Sequence, residues 1–527
     1  MEIQNINDIE RATRKAQREL FRFGMALLFI IGVMFYTWAQ GGGSFLLIMA
    51  AMIGGYMAMN IGANDVANNV GPAVGSRALP MAGALVIAAV CEAAGALIAG
   101  GDVVQTIRGG IIAQEAIANA DTFVWLMMGA LLAGAIWLNI ATAVGAPVST
   151  THSIVGGVLG AGIAAGGWDV ANWGKMGQIA ASWVISPVMG GVIAAGFLYL
   201  IKRRITYRGD MMAAARVTVP LLVAFMAWAF TTYLMLKGVK TLIKVNFASA
   251  ALTGAAVAFV VFLLVRPRVE RQSRRTMPAG TTDKSRVNTM FTVPLIFAAA
   301  LLSFAHGAND VANAVGPLAA IADVLGGAGP GKAAAIPLWV MMVGAIGIAL
   351  GLALFGPKLI RTVGSEITEL DQMRAYCIAM AATITVIVAS QLGLPVSSTH
   401  IAVGGVFGVG FLREYLKSNY ARMVDEILSH HPPADQAAIE AYLQRFDKAP
   451  VHEKGEMLET LKREAKTHAN PELFSSKERK GLRKVYRGEL VKRSQLLKIA
   501  AAWVITVPAS AILGALFFYA IRGAMLP

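Results

Sequence analysis

Two eleven-residue phrases hold the groups in this sequence that could do chemistry. Residues 62–72 read GANDVANNVGP and residues 307–317 read GANDVANAVGP, identical at ten of eleven positions. Each sets one carboxylate, Asp65 or Asp310, among carboxamides: Asn64 and Asn68 in the first copy, Asn309 and Asn313 in the second. The i,i+4 spacing of each Asn pair puts both amides on one helical face with the Asp beside them. A second phrase is also duplicated, PVSTTHSIVGGVLG at 147–160 and PVSSTHIAVGGVFG at 395–408. It supplies hydroxyls: Ser149, Thr150 and Thr151, then Ser397, Ser398 and Thr399. Neutral donors of this kind, joined by the N–H groups at helix N-termini, suit an oxyanion. An ionised Asp suits a small cation instead, or a proton shared with the anion. Donors interleaved with carboxylates therefore point to an anion taken up together with a cation. Lys and Arg are absent from the duplicated cores, which favours weak, reversible anion capture over a tight cationic clamp.

The elements that must position these groups are apolar. Hydrophobic residues make up 56% of the 527 and charged residues 15%, where a soluble chain carries nearer a quarter charged. Mean hydropathy is +0.60. Thirteen segments are apolar over bilayer-crossing lengths: 23–40, 44–60, 80–100, 122–145, 146–165, 178–201, 217–237, 247–266, 291–306, 336–356, 374–393, 395–412 and 498–521. Such a chain is an all-α polytopic membrane protein, since a soluble bundle cannot hide so many helices that are apolar all round. Threaded alternately from a cytoplasmic N-terminus, the inner loops collect RATRKAQRELFR, KRRITYR, RPRVERQSRR and the stretch 413–498. The outer loops hold few cations, at most three in any one, around Lys237, Lys240 and Lys244. This is the positive-inside pattern, and it predicts a multi-pass protein of the plasma (inner) membrane. The net charge of +15 is thus a topology signal, scattered over several loops in a way that does not suit nucleic acid. The basic region before the first segment is long for a signal peptide, so an uncleaved first helix is expected. Cys91 and Cys377 fall inside apolar segments and suggest neither a disulfide framework nor metal spacing.

The repeats extend to a third echo, WVISP at 183–187 and WVITVP at 503–508. The expected organisation is an N-terminal part with an extra helix (1–43), a first repeat (44–201), a linker with two helices (202–290), the first part of a second repeat (291–412), a charged cytoplasmic insertion (413–497) and the last helix of the second repeat (498–527). Seven crossings separate equivalent segments. An odd number turns the second half upside down, the architecture of many secondary transporters, with a site at the midplane where repeats meet. By this threading the first-half phrases lie on the cytoplasmic side and the second-half phrases outside, so a shared site requires each to dip inward. Gly62, Gly71, Pro72, Pro147, Gly307, Gly316, Pro317 and Pro395 are the expected helix breaks, which would make the helices broken or re-entrant. The plainer alternative has Asp65 and Asp310 capping helices at the surface.

GANDVANNVGPAVGSRAL, PVSTTHSIVGGVLGAGI and FAHGANDVANAVGPLAAI resemble the signatures of the PiT family of inorganic phosphate transporters. The likeness covers nearly the whole membrane part. It implies symport of inorganic phosphate driven by sodium in one branch and by protons in another. The family's signature residues fall on Asn64, Asp65, Asn68, Asn309, Asp310 and Asn313, and its second motif on Ser149, Thr150, Thr151, Ser397, Ser398 and Thr399. The implied division of labour gives phosphate to the Asn, Ser and Thr groups, and the cation to Asp65, Asp310 and Glu92. Glu92, in CEAAGALIAG, resembles a family intramembrane glutamate; its place in the second half, near Gly344, holds no acid. Both signatures read NDVAN, as in the sodium-coupled branch, so Asp65 and Asp310 are the expected sodium ligands. Protons remain the alternative, as do metal–phosphate complexes as cargo and sulfate as substrate. No resident cofactor is expected, only transported phosphate and sodium. Partners are the lipid bilayer and, in an oligomer, further copies of the chain.

Other groups fit less well. His152 and His400 end the hydroxyl phrases and either orient the motif or touch substrate. His306 precedes the second signature where Ile61 precedes the first, so it does not read as a shared ligand. Asn69 becomes Ala314 and reads as peripheral. Arg77 reads as an interfacial anchor. The stretch 413–498 carries 18 Lys or Arg, 13 Asp or Glu, and His430, His431, His452 and His468. It reads as a solvated helical domain with Asp435 as an N-cap, with a regulatory or docking role as the sharper option. A channel and a membrane-embedded enzyme using Asp65, Asp310 and the histidines on a lipid or phosphate ester are the competing classes. The paired carboxylates and inverted halves argue against the channel, and uptake of labelled phosphate under a cation gradient separates the three. No GxxxxGK[ST] loop occurs, which argues against direct ATP drive.

Overall fold

A computed structural model describes residues 2–41, 44–113, 116–117, 119–146, 148–238, 245–274, 282–327, 335–366, 370–429, 439–445, 457, 460 and 493–525. Pro147, Lys240, Lys244, Asp435 and the four insertion histidines lie outside the described residues. In chain order the main helices are α1 (Glu2–Gly41), α2 (Phe45–Gly75), α3 (Met81–Ala99), α4 (Gly101–Gly109), α5 (Ala120–Val144), α6 (Thr150–Gly166), α7 (Trp173–Ile201), α8 (Met211–Lys237), α9 (Phe247–Ser273), α10 (Asp283–Met290), α11 (Thr292–Asp310), α12 (Ala312–Leu325), α13 (Leu338–Glu366), α14 (Gln372–Gln391), α15 (Ser398–Ser429) and α16 (Arg493–Met525). No strand occurs among the described residues; the one extended pairing is a bridge between Ile112 and Ala171.

Eleven of these stretches are long and apolar enough to cross a membrane, with α11 and α12 counting as one. The other two expected crossings are α6 and α15, each of which starts inside its duplicated hydroxyl phrase. Large apolar side chains stay exposed at helical spacing on outward faces: Val86 and Val90 on α3, Val184 and Val188 on α7, Ile512 and Leu516 on α16. In water such stripes would be costly, whereas lipid tails solvate them. The interior is packed with Ala and Gly, the residues that let helix backbones approach closely.

The two halves touch each other reciprocally. A Cβ on Gly62 would overlap the Ile348 carbonyl, and a Cβ on its equivalent, Gly307, would overlap the Glu92 carbonyl. Gly95 faces the Phe304 carbonyl as Gly351 faces that of Met59; Gly156 faces Val507 as Gly404 faces Pro187; Gly160 faces Ala511 as Gly408 faces Gly191. A contact matched by its exchanged partner is the pattern that a two-fold axis generates. These pairs also correct one alignment: the second-half position equivalent to Glu92 is Ile348, one helical turn beyond Gly344. It is still not an acid.

The expected breaks fall in only one kind of motif. α2 runs unbroken through Gly62, Gly71 and Pro72. α11 passes into α12 across a single residue, Val311, which keeps helical angles (φ −56, ψ −30), and Pro317 sits inside α12. Gly62 and Gly307 are therefore small for close packing and do not break their helices. The breaks come before the hydroxyl phrases. Left-handed Gly145 (φ 79) ends α5, and left-handed Gly393 (φ 65) follows α14. Without a Cβ, glycine adopts that conformation at little cost. Non-helical chain then leads to α6 and α15, so these two are the broken helices.

Candidate functional site

Both signatures and both hydroxyl phrases meet in one buried cluster. The signature residues lie inside helices, with Asp65 and Asp310 each 1% exposed, so neither aspartate is a surface cap. The hydroxyl phrases reach them as helix N-termini. Ser149 Oγ accepts from His152 N–H (3.1 Å) and Ser397 Oγ from His400 N–H (3.3 Å). These two serines therefore cap α6 and α15. That leaves the Thr150, Thr151 and Thr399 hydroxyls and the Ser398 hydroxyl for the site.

The signature amides position the broken segments by mirrored hydrogen bonds. Asn64 donates to Thr142 Oγ1 (3.0 Å) and the Ala146 carbonyl (3.4 Å), and accepts from Val148 N–H (3.3 Å). Its equivalent, Asn309, donates to Ser390 Oγ (3.0 Å) and the Leu394 carbonyl (3.2 Å), and accepts from Val396 N–H (3.3 Å). A backbone break inside a membrane exposes groups that must find partners there, and these amides supply them. Across the halves, Asn68 donates to Thr399 Oγ1 (2.8 Å) as Asn313 donates to Thr151 Oγ1 (3.2 Å). Thr151 Oγ1 donates to the Val396 carbonyl (3.0 Å) as Thr399 Oγ1 approaches that of Val148 (3.4 Å). The N-terminal ends of α6 and α15 are thus laced together, each stitched to the other repeat's signature helix. His152 and His400, also equivalent, lie ring against ring with centroids 4.4 Å apart, and Trp183 tilts over His152 at 3.8 Å.

At the centre the mirror fails. Thr150 Oγ1 lies 2.8 Å from Asp65 Oδ2 and 3.1 Å from Asp310 Oδ2, bridging the carboxylates of both halves. One hydroxyl proton serves one of them at a time. Ser398, the equivalent of Thr150, has a buried Oγ with no hydrogen-bond partner, as do Asp310 Oδ1 and Asn313 Oδ1. Asp65 Oδ1, by contrast, receives Thr399 Oγ1 (3.2 Å) and Asn68 Nδ2 (3.4 Å). Asn69 Oδ1, Glu92 Oε2 and His306 Nδ1 are likewise buried without a hydrogen-bond partner.

Two residues set aside in the sequence belong to this cluster. His306 Nε2 lies 3.1 Å from Asp310 Oδ2 and 3.5 Å from Asp65 Oδ2, while Nδ1 lies 3.2 Å from Glu92 Oε2. His306 is not shared between the copies, Ile61 standing in its place in the first, yet its ring touches both aspartates and joins the cluster from one half. Asn69 is not peripheral: its Nδ2 donates to Glu92 Oε1 at 2.7 Å. Three buried carboxylates and one imidazole therefore share this space, and no Lys or Arg is among their hydrogen-bond partners in the described residues. Repeat alignment hid His306 and Asn69, because their equivalents are Ile61 and Ala314. The signal was available in the asymmetry itself. A polar residue facing an apolar counterpart, three times over, is costly inside a membrane unless the three satisfy one another. Arg77 is exposed at the turn after α2, where it adopts φ 60.

Comparison with known proteins agrees with this architecture. A model of the phosphate transporter family matches residues 61–514. A protein of Helicobacter pylori strain J99, provisionally named a phosphate permease, is 54% identical over 531 residues, covering 99% of each chain. A Thermococcus kodakarensis protein with the same provisional name is 36% identical over 395 residues, 75% of this chain and 95% of its own. A solved structure described as the sodium-dependent phosphate transporter superposes with a TM-score of 0.72 at 30% identity, covering 91% of this chain and 100% of that one. A protein of this family moves its substrate across a membrane and is not an enzyme. The chain, with its twin signatures closed around one buried site, belongs to the phosphate transporter family.

Proposed function

We propose that the protein is a secondary symporter that imports inorganic phosphate with sodium across the plasma (inner) membrane, its N-terminus in the cytoplasm. The observation that carries this reading is the meeting of Asp65 and Asp310 with the N-termini of α6 and α15 in one occluded cluster. Helix N-termini and the Ser398, Thr151 and Thr399 hydroxyls present positive dipoles to a phosphate, and Asn68 and Asn313 hold them in place. Asp65 and Asp310 supply the negative charge that requires a cation beside that anion, and sodium takes such carboxylate, hydroxyl and carbonyl oxygens. Ser149 and Ser397 act on phosphate only by capping the helices that face it. Anion and cation each remove the electrostatic penalty of burying the other, which couples their movement.

The two halves, related by reciprocal contacts and separated by an odd number of crossings, lie inverted in the bilayer, so that rocking of one against the other exposes the site alternately to each face. The assignment is tested in proteoliposomes at fixed pH with labelled phosphate. An inward sodium gradient should drive accumulation, and replacing sodium by potassium or choline should abolish it. Uptake that persists without sodium and collapses when a pH gradient is dissipated would assign the coupling to protons. His306 among three carboxylates is the observation that favours that second reading.

A further inference from the structure

Three polar residues depart from the repeat, and they touch one another. Asn69, Glu92 and His306 form the chain Asn69 Nδ2 to Glu92 Oε1 (2.7 Å) and Glu92 Oε2 to His306 Nδ1 (3.2 Å). Their equivalents are Ala314, Ile348 and Ile61, all apolar. The same place in the other half of the molecule therefore holds only hydrocarbon. A side chain that merely filled space could have been apolar here too.

The chain of contacts ends on four atoms. His306 Nε2 lies 3.1 Å from Asp310 Oδ2 and 3.5 Å from Asp65 Oδ2. Thr150 Oγ1 lies 2.8 Å from Asp65 Oδ2 and 3.1 Å from Asp310 Oδ2. The ligand atoms of Asp65, His306 and Asp310 all lie within 4.8 Å of one another. Neighbouring ligands of an ion bound at about 2.0–2.2 Å stand roughly 3–3.5 Å apart, and the contacts of this ring, 2.8–3.5 Å, need only small adjustment to reach that spacing. Its composition is one imidazole nitrogen, two carboxylate oxygens and one hydroxyl. Imidazole is a ligand of zinc and its first-row neighbours, whereas hard cations are held by oxygen alone. Behind the ring stands the usual support of such a site: a metal-ligating histidine gives its other N–H to a carboxylate, which fixes the tautomer and turns the second nitrogen toward the ion. Glu92 is the carboxylate placed for that role: its Oε2 stands 3.2 Å from Nδ1, both atoms buried and without a hydrogen bond in this arrangement, and Asn69 holds its Oε1. Asp310 Oδ1, buried and without a hydrogen-bond partner, leaves a further oxygen for the shell.

We propose that Asp65, Asp310, His306 and Thr150 form a binding site for a divalent first-row transition ion of the zinc class, with Glu92 and Asn69 as positioning residues for the imidazole. The site shares Asp65 and Asp310 with the proposed sodium position, so the two ions exclude each other. It does not depend on phosphate transport being the chain's activity.

The test uses the full chain purified in detergent, with no phosphate present, and zinc and cobalt(II) as probes. Saturable zinc binding at one site per chain is expected, with sodium raising the apparent Kd. Cobalt should give the visible absorption of a nitrogen- and oxygen-ligated ion, lost in His306→Ala. Glu92→Gln, nearly isosteric, should weaken zinc binding about 10- to 100-fold, the usual cost of removing an outer-shell carboxylate. Asn69→Ala should weaken it less. Thermal melting and gel filtration report whether each variant is folded; if His306→Ala is not, Glu92→Gln decides. Absence of saturable binding, or binding unchanged in Glu92→Gln, would overturn the proposal, whereas zinc binding indifferent to sodium would overturn the shared sodium position and leave the zinc site standing. Sodium-driven phosphate uptake measured in metal-free proteoliposomes tests the transport reading separately, so the failure of either is recognisable.

Discussion

Thr150 is the residue on which both halves of the site depend, since its hydroxyl spans the carboxylates of Asp65 and Asp310. Thr150→Val keeps the shape and removes the donor. A lost hydrogen bond to a charged group costs about 1.5–3 kcal/mol, so apparent affinity for the coupling ion should fall roughly 10- to 100-fold, read as the sodium dependence of uptake. The capping serines make a contrast. Ser149→Ala and Ser397→Ala remove an N-cap worth about 1 kcal/mol, so melting temperature should drop while the KM for phosphate changes little. A large KM effect at Ser149 with unchanged stability would show direct contact with the anion. Asp65→Asn and Asp310→Asn should each abolish gradient-driven accumulation and leave a monodisperse, folded protein. Full accumulation in either would remove the aspartates from the coupling step.

The signature helices act as rigid struts. α2 passes the site without interruption, and its Gly62 touches the α13 backbone where Gly307 of α11 touches the α3 backbone. Gly62→Ala and Gly307→Ala would each drive a methyl group into a carbonyl. Overpacking of this kind costs about 1–3 kcal/mol, so both variants should melt lower in detergent, by similar amounts because their surroundings are equivalent. Gly24→Ala, inside α1 with nothing within 4 Å of the new atom, is the control and should melt no lower, since Ala is the better helix former. Beside α12, short α4 is fastened by an ion pair between Arg108 and Asp323, both side chains largely buried. Asp323→Asn leaves a guanidinium without its counter-charge and should be destabilising by about 3–5 kcal/mol, visible in the same melting assay.

At the scale of the whole molecule, the proposed inversion of one half relative to the other rests on α6 and α15 each carrying the chain across, in addition to the eleven apolar spans. Labelling with a membrane-impermeant maleimide checks it, in a chain whose Cys91 is replaced by Ala. Gly209→Cys, in the exposed turn between α7 and α8, should react only from the cytoplasmic side, and Ala248→Cys, exposed at the start of α9, only from the other. The same reagent applied to sites flanking α6 fixes whether that helix counts as a crossing. Labelling of both ends of α6 from one side would return the halves to a parallel arrangement.

Much of this was legible in the residues alone. Helical membrane architecture followed from apolar runs of bilayer length, because backbone groups in lipid must pair within their own segment. The two repeated phrases, and with them the polar residues Asn64, Asp65, Asn68, Thr150, Asn309, Asp310 and Asn313 that the fold buries together, stand out by duplication, because polar groups inside hydrocarbon are costly. Glycine and proline gave a less certain signal. Gly145 and Gly393 do end helices, while Gly62, Gly307, Pro72 and Pro317 lie within continuous helix, and only the neighbouring backbone shows which role each has. Assignment of Ser149 and Ser397 to capping also needed the helix starts, since a cap is defined by where its helix begins. His306 and Asn69 are not legible in the duplication, because Ile61 and Ala314 stand at their places in the other copy. Their partner, Glu92, lies on a different helix, 23 residues from Asn69 and far from His306 in the chain, and side chains so separated come into contact only through packing.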